Sequence, residues 1–242
     1  MLYVAMSGAK QSMEQHASVA NNMANISTTG FRAQVNSFQA VPVAGDEVAT
    51  RAFVITTTPR ADFRAGPLSE TGRALDLAIR GDGWMVVQTD SGEAYTRAGN
   101  LQVDAEGQIT TMAGLPIVGD SGPLVIPPGS APTVAANGLI TALNVGNSTT
   151  GVTEVGRLKL VNPPAGDLAR GDDGLFRMSQ GQPAADADPA VVVASGYLEG
   201  SNVNPVEAMV DMIATSRLLE MQMKGLHTSD ENAQVANKLL AA

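Results

Sequence analysis

Residues 204–226 read NPVEAMVDMIATSRLLEMQMKGL, and this stretch decides the fold. Asn204 offers the side-chain oxygen of an N-cap, Pro205 suits the first helical position, and Glu207 stands where a capping-box acid belongs. Beyond the cap, Met209, Met212, Ser216, Leu219, Met223 and Leu226 recur at alternating steps of three and four, the spacing of a heptad seam. Asp230, Ala233, Asn237 and Leu240 continue it more weakly, with two polar interruptions. A helix from Pro205 to Leu240 would run about 54 Å at 1.5 Å per residue, roughly twice the diameter of a 100-residue domain. Its own small domain cannot bury it, so it needs partners.

The other end mirrors this. Leu2, Met6, Ala9, Met13, His16, Ala20 and Met23 are spaced four and three in turn, predicting a helix over residues 2–26. It should stop near Ser27-Thr28-Thr29-Gly30. Between the helices, short alternating runs are punctuated by turn signals. Gly83–Val87 leads to Asp90-Ser91-Gly92, Glu93–Arg97 to Ala98-Gly99-Asn100, and Leu101–Asp104 to Glu106-Gly107 and Gln108–Thr111. Asn137-Gly138 separates Thr133-Val134 from Leu139-Ile140 as a hairpin would. Arg157-Leu158-Lys159-Leu160-Val161 alternates polar and apolar, and Leu75–Ile79 is a short ambiguous run. The expected fold is mainly β, a twisted barrel-like or sandwich-like insert, with N- and C-terminal helices forming a discontinuous coiled-coil module. The expected division is 1–32 plus 200–242 for the helices, 33–80 for an extended connector, and 81–199 for the β domain. The connector holds Pro42, Pro59, Pro67 and the β-branched run Val54–Thr58.

Composition narrows function. The 242 residues carry a formal charge of −9 and no cysteine; aromatic residues are 4% and charged residues 16%. Residues 1–32 are net +1 and 205–242 net −2, which leaves −8 on the middle. That balance argues against nucleic acid, which needs a basic footprint. Without cysteine there is no disulfide, thiolate metal site or thiol nucleophile. No apolar run approaches the ~20 residues of a membrane span. The first residues lack the basic start and long apolar core of a Sec-type signal peptide, so secretion by that route is not expected.

Candidate chemical motifs dissolve on inspection. Gly119–Pro123 (GDSGP) would need a histidine beside Ser121 to make a serine hydrolase, and the two histidines, His16 and His227, lie in the terminal helices. Arg80-Gly81-Asp82 and Arg170-Gly171-Asp172 are tripeptides of the kind adhesins use, yet Gly-Asp is an ordinary turn former. Asp172-Asp173-Gly174 and Asp186/Asp188 lack the calcium-loop register. No catalytic site, cofactor or metal is expected. The unusual feature is three asparagines, Asn21, Asn22 and Asn25, within five residues of helix, where their propensity is poor. On a packed seam such amides fix register by bonding across subunits.

Residues 18–31 (SVANNMANISTTGF) resemble the N-terminal signature of the flagellar rod, hook and hook-associated axial proteins, and residues 198–213 (LEGSNVNPVEAMVDMI) their C-terminal signature. Residues 75–84 (LDLAIRGDGW) and 94–100 (AYTRAGN) resemble the rod members. The resemblance implies a non-enzymatic subunit of the flagellar rod in the periplasm, passed unfolded through the flagellar type III export apparatus. Its partners would be copies of itself and the neighbouring proximal and distal rod proteins. The implied assembly residues are Leu2, Met6, Met13, Ala20, Asn21, Asn22, Met23, Asn25, Gly30 and Phe31 at one end. At the other they are Asn202, Asn204, Met209, Met212, Leu219, Met223 and Leu226.

Overall fold

A computed structural model describes residues 2–36, 38–42, 52–56, 60–144 and 151–240. They form two compact units. The first comprises residues 1–26, 33–62 and 203–242; the second comprises 27–32 and 63–202.

The first unit is built on two helices, α1 (Leu2–Ala24) and α2 (Pro205–Leu240). Asn204 caps α2 as expected: its Oδ1 accepts the backbone N–H of Val206 at 3.1 Å and that of Glu207 at 3.4 Å. α1 ends two residues earlier than its periodicity suggests, in a turn in which Ile26 N–H donates to Met23 O. Gly8 faces Gln222 and His16 faces Ser216, so the helices run antiparallel. Two short antiparallel pairs complete the unit, Gln34–Val35 with Arg60–Ala61 and Phe38–Pro42 with Ala52–Thr56; the latter runs beside α1. Thr57, Thr58 and Pro59 of the expected connector lie outside the described residues.

The second unit is β apart from one 3-10 turn, Ala165–Asp167. Its main sheet orders five strands as Leu160–Val161, Trp84–Thr89, Gly92–Thr96, Phe176–Met178 and Leu168–Arg170. Trp84, Met85, Val86 and Val87 are all buried, so this strand is covered on both faces, which its near-continuous apolar run requires. Met85 and Val87 join the aliphatic core with Leu77, Ile109, Ile140 and Leu158. Trp84 packs edge-on against Phe63 and lies 4.7 Å from the Phe176 ring centre. The Asn137-Gly138 hairpin closes as read: Ser130–Val134 pairs with Leu139–Asn144, Val134 opposite Ile140, and Val152–Arg157 adds a third strand. Gly138 takes the positive φ of 79° that the turn demands. Leu158 and Leu160 point into the core, while Lys159 between them reaches Glu93 at 2.8 Å. The ambiguous run near Leu75 is a strand, Leu77–Arg80, paired with Val192–Ser195.

The observed division differs from the sequence-based one at the connector. Residues 33–62 group with the helices, because two hairpin-like pairings tie them there. Residues 63–80 group with the β unit, where Leu68–Glu70 pairs with Tyr197–Glu199. Residues 27–32 also belong to the β unit rather than to the helix they follow.

Candidate functional site

The helix pair is the first candidate. Its inner face is small and polar. Ala9, Ser12, Ala208 and Thr215 are buried. Ser12 donates to Gly8 O at 3.1 Å and Thr215 to Asp211 O at 2.8 Å, so each hydroxyl is satisfied by its own helix. His16 Nε2 and Ser216 Oγ are hydrogen-bonded across the pair at 3.1 Å. The large apolar side chains stand outside: Met13 is 58% exposed, Val206 70%, Val210 59%, Ile213 56% and Met221 64%.

This corrects the expected seam. Met212, Leu219 and Leu226 are half-buried as a seam requires, but Met209 and Met223 are exposed, and Ala208 and Thr215 are buried in that column instead. In α1, Met6 and Met13 are exposed, Ala20 and Met23 half-buried, and Ser12 takes the place expected for Met13. The displacement has a simple cause: the apolar pattern marks the methionines, whereas close approach of two helices selects the small residues beside them. The contact is a small-residue helix pair rather than a heptad seam of methionines. The side chain of Leu2 lies outside the described residues.

The asparagines are likewise used within the chain. Asn22 Nδ2 donates to Gln34 O at 2.8 Å, and its Oδ1 accepts Gln34 N–H at 2.7 Å. Asn22 therefore imitates a strand partner for the chain that follows α1. Asn25 Nδ2 donates to Asn21 O at 2.9 Å, holding the last turn of α1. Asn21 itself is exposed.

The second candidate lies inside the β unit; its ion cluster has no counterpart in the sequence reading, though it gathers Gly30, Phe31 and Asn202, which were expected as assembly residues. Glu199 is 1% exposed. Its Oε1 accepts Arg32 Nη2 at 2.7 Å and Gly66 N–H at 2.9 Å; its Oε2 accepts Arg97 Nη1 at 3.0 Å. Burial pulls the Arg97 guanidinium below the usual arginine pKa; the charge of Glu199 opposes that shift and the charge of Arg32 adds to it. Backbone bonds knit the same place together: Gly30 N–H to Glu199 O at 2.7 Å, Gly200 N–H to Pro67 O at 2.8 Å, and Asn202 N–H to Phe31 O at 3.3 Å. Asn202 Nδ2 adds a bond to Arg64 O at 3.0 Å. Phe31 is buried beneath Arg170, whose guanidinium lies 4.4 Å from the ring centre and donates from Nη1 to Arg32 O. At Gly66 a Cβ would strike Gly200 O, and at Gly30 (φ 68°) it would strike the backbone of Arg97. The sequence carried a partial signal: Arg97 and Glu199 sit in the resemblance-bearing stretches 94–100 and 198–213, and Arg32 directly follows 18–31, in a chain poor in charge.

The remaining chemical motifs are turns. Asp120-Ser121 links Val118–Gly119 to Gly122–Pro123, and both histidines belong to the other unit. Arg170 of one tripeptide is engaged by Phe31 and Arg32, and Gly81 of the other accepts Arg97 Nη2 at 2.8 Å. Among the described residues no group of histidine and acidic side chains is arranged to hold a metal, and no helix is long and apolar enough to cross a membrane.

Three family models match the chain in order. They are the flagella basal body rod protein over residues 2–32, the flagellar hook protein FlgE/F/G D1 domain over 78–142, and the flagellar basal body rod FlgEFG protein C-terminal region over 194–239. Flagellar basal-body rod protein FlgF of Escherichia coli K12 is 49% identical over 99% of this chain and 98% of its own length. That of Salmonella typhimurium LT2 is 50% identical over the same shares. Flagellar basal-body rod protein FlgG of Agrobacterium fabrum is 33% identical over 92% of each chain. The chain therefore belongs to the flagellar basal-body rod proteins, a structural class and not an enzyme family. Within that class it falls with the FlgF rod subunits, FlgG relatives matching at lower identity.

Proposed function

We propose that the outward faces of α1 and α2 are the surfaces by which this rod subunit joins further copies of itself and neighbouring rod proteins, the FlgG kind among them. The observation that carries this reading is the inverted helix pair, with small and hydroxyl residues inside and Met13, Val206, Val210, Ile213 and Met221 outside. A monomer gains nothing by exposing so many large apolar side chains. In a polymer each such side chain contributes about 1.5–3 kcal/mol on burial, and the contact recurs at every subunit. Heterologous contacts of this kind extend without closing. Methionine repacks readily, which suits a face that meets non-identical neighbours along a short shaft. The family resemblance further supports passage through the flagellar type III export apparatus and a place in the periplasmic part of the rod.

The test is Val210→Asp with Ile213→Asp. Two charges desolvated at each contact cost several kcal/mol per ion. Swimming in soft agar and the subunit's presence in purified basal bodies should both be lost, while the thermal melt of the purified chain stays as in the wild type. Normal incorporation would place the contact on another face.

A further inference from the structure

The two segments that lead from α1 and into α2 meet in one place inside the β unit. Residues 27–32 arrive from α1 and residues 199–202 lead to α2, and the Glu199 carboxylate binds both Arg32 and Arg97 there. The arrangement is unbalanced in an informative way. Arg97 has a second hold, donating from Nη2 to Gly81 O at 2.8 Å, with its guanidinium 5.4 Å from the Trp84 ring centre. Arg32 is fully buried, and among the described residues its side chain has Glu199 alone; its Nε and Nη1 find no acceptor. Two guanidiniums are thus held near each other out of water by one carboxylate.

We propose that Glu199 is a conditional lock on segments 27–32 and 199–202: its carboxylate seats Arg32 beside Arg97, and without it segment 27–32 leaves its place in the β unit. Arg32 is the partner that goes, because Arg97 keeps Gly81 and Trp84. A guanidinium left buried without its counter-charge is strongly unfavourable, and here a like charge stands beside it. Segment 27–32 adds only a few backbone bonds, so it opens before the aliphatic core does. The lock also closes late. Arg32 and Glu199 are 167 residues apart, and the N-terminal segment cannot settle until residue 199 has reached the junction.

The experiment is amide hydrogen exchange on the full chain. In Glu199→Gln, exchange at residues 30–32 should accelerate at least tenfold relative to Met85–Val87 in the central strand. Arg32→Met, which leaves the Glu199–Arg97 pair intact, should accelerate it less. Adding Arg32→Met to Glu199→Gln should restore protection toward the Arg32→Met level, because the repelled charge is gone. Should Glu199→Gln alone fail to fold, the double variant must fold. Equal acceleration in the central strand and in residues 30–32 would make Glu199 an ordinary core residue and overturn the lock. So would a double variant no better than Glu199→Gln.

Discussion

The β unit and the helix pair bury opposite kinds of side chain. In the β unit, Leu77, Met85, Ile109, Ile117, Ile140 and Leu158 are enclosed within the unit, while Leu68, Val103, Val125 and the cross-strand pair Leu143 and Val152 stand exposed at its surface. In the helix pair, Ser12, Thr215 and Ala208 are enclosed while Met13, Val210, Ile213 and Met221 face out. One region completes its core within the chain. The other closes only its narrowest contact and leaves its apolar surface uncovered. Burial pattern, more than secondary structure, separates the part that encloses its own apolar residues from the part that leaves them exposed.

This contrast can be broken in graded steps. The largest effect belongs to the β core. Leu77→Ala removes a fully buried side chain and should cost about 2–5 kcal/mol. Denaturant melts followed by Trp84 fluorescence should show the loss; a change under 1 kcal/mol would mean the core is looser than its burial implies. The next step is Asn22→Ala in the first unit. It strands the N–H of Gln34, whose C=O keeps the Ser18 hydroxyl at 3.4 Å, at a cost of about 1–3 kcal/mol within that unit. Exchange at Gln34 should accelerate while Tyr95 is unaffected, and a uniform change would tie this clamp to the β core. The smallest effect is at the surface. Arg177 hydrogen-bonds Asp173 at 2.6 Å and holds its carboxyl below the usual aspartate pKa. A carboxyl depressed on folding contributes stability above its unfolded pKa and loses it as pH falls through the folded value. Asp173 is 43% exposed, so Asp173→Ala should cost under ~1 kcal/mol at neutral pH. The acid destabilisation below about pH 4 should shrink by the same small amount, and titrating the melt of both proteins across pH 2–7 checks it.

Much of this was legible because the deciding interactions are local. Asn204-Pro205 starts α2 where the cap chemistry says, and Asn137-Gly138 turns where φ must be positive. Leu158 and Leu160 flank Lys159 in the order their alternation gives. Three things were not legible. Residues 34–35 and 60–61 form a strand pair too short to show a period. The helix contact lies one residue away from the apolar column, on Ser12, Ala208 and Thr215, because close approach depends on side-chain size and a hydropathy pattern does not record it. The ion cluster joins Glu199 to partners 167 and 102 residues away, and nothing adjacent to any of the three announces the others.

The outward methionines have a consequence in redox chemistry. The chain has eleven methionines and no cysteine, so its oxidisable sulfur is all thioether. Met6, Met13, Met209, Met221 and Met223 stand exposed on the helices. Oxidation to the sulfoxide turns each from an adaptable apolar side chain into a polar, chiral one. If those faces are covered on assembly, the same residues are open to peroxide in a free subunit and shielded in a finished shaft. Oxidant would then fall on subunits before they are joined and spare those already in place.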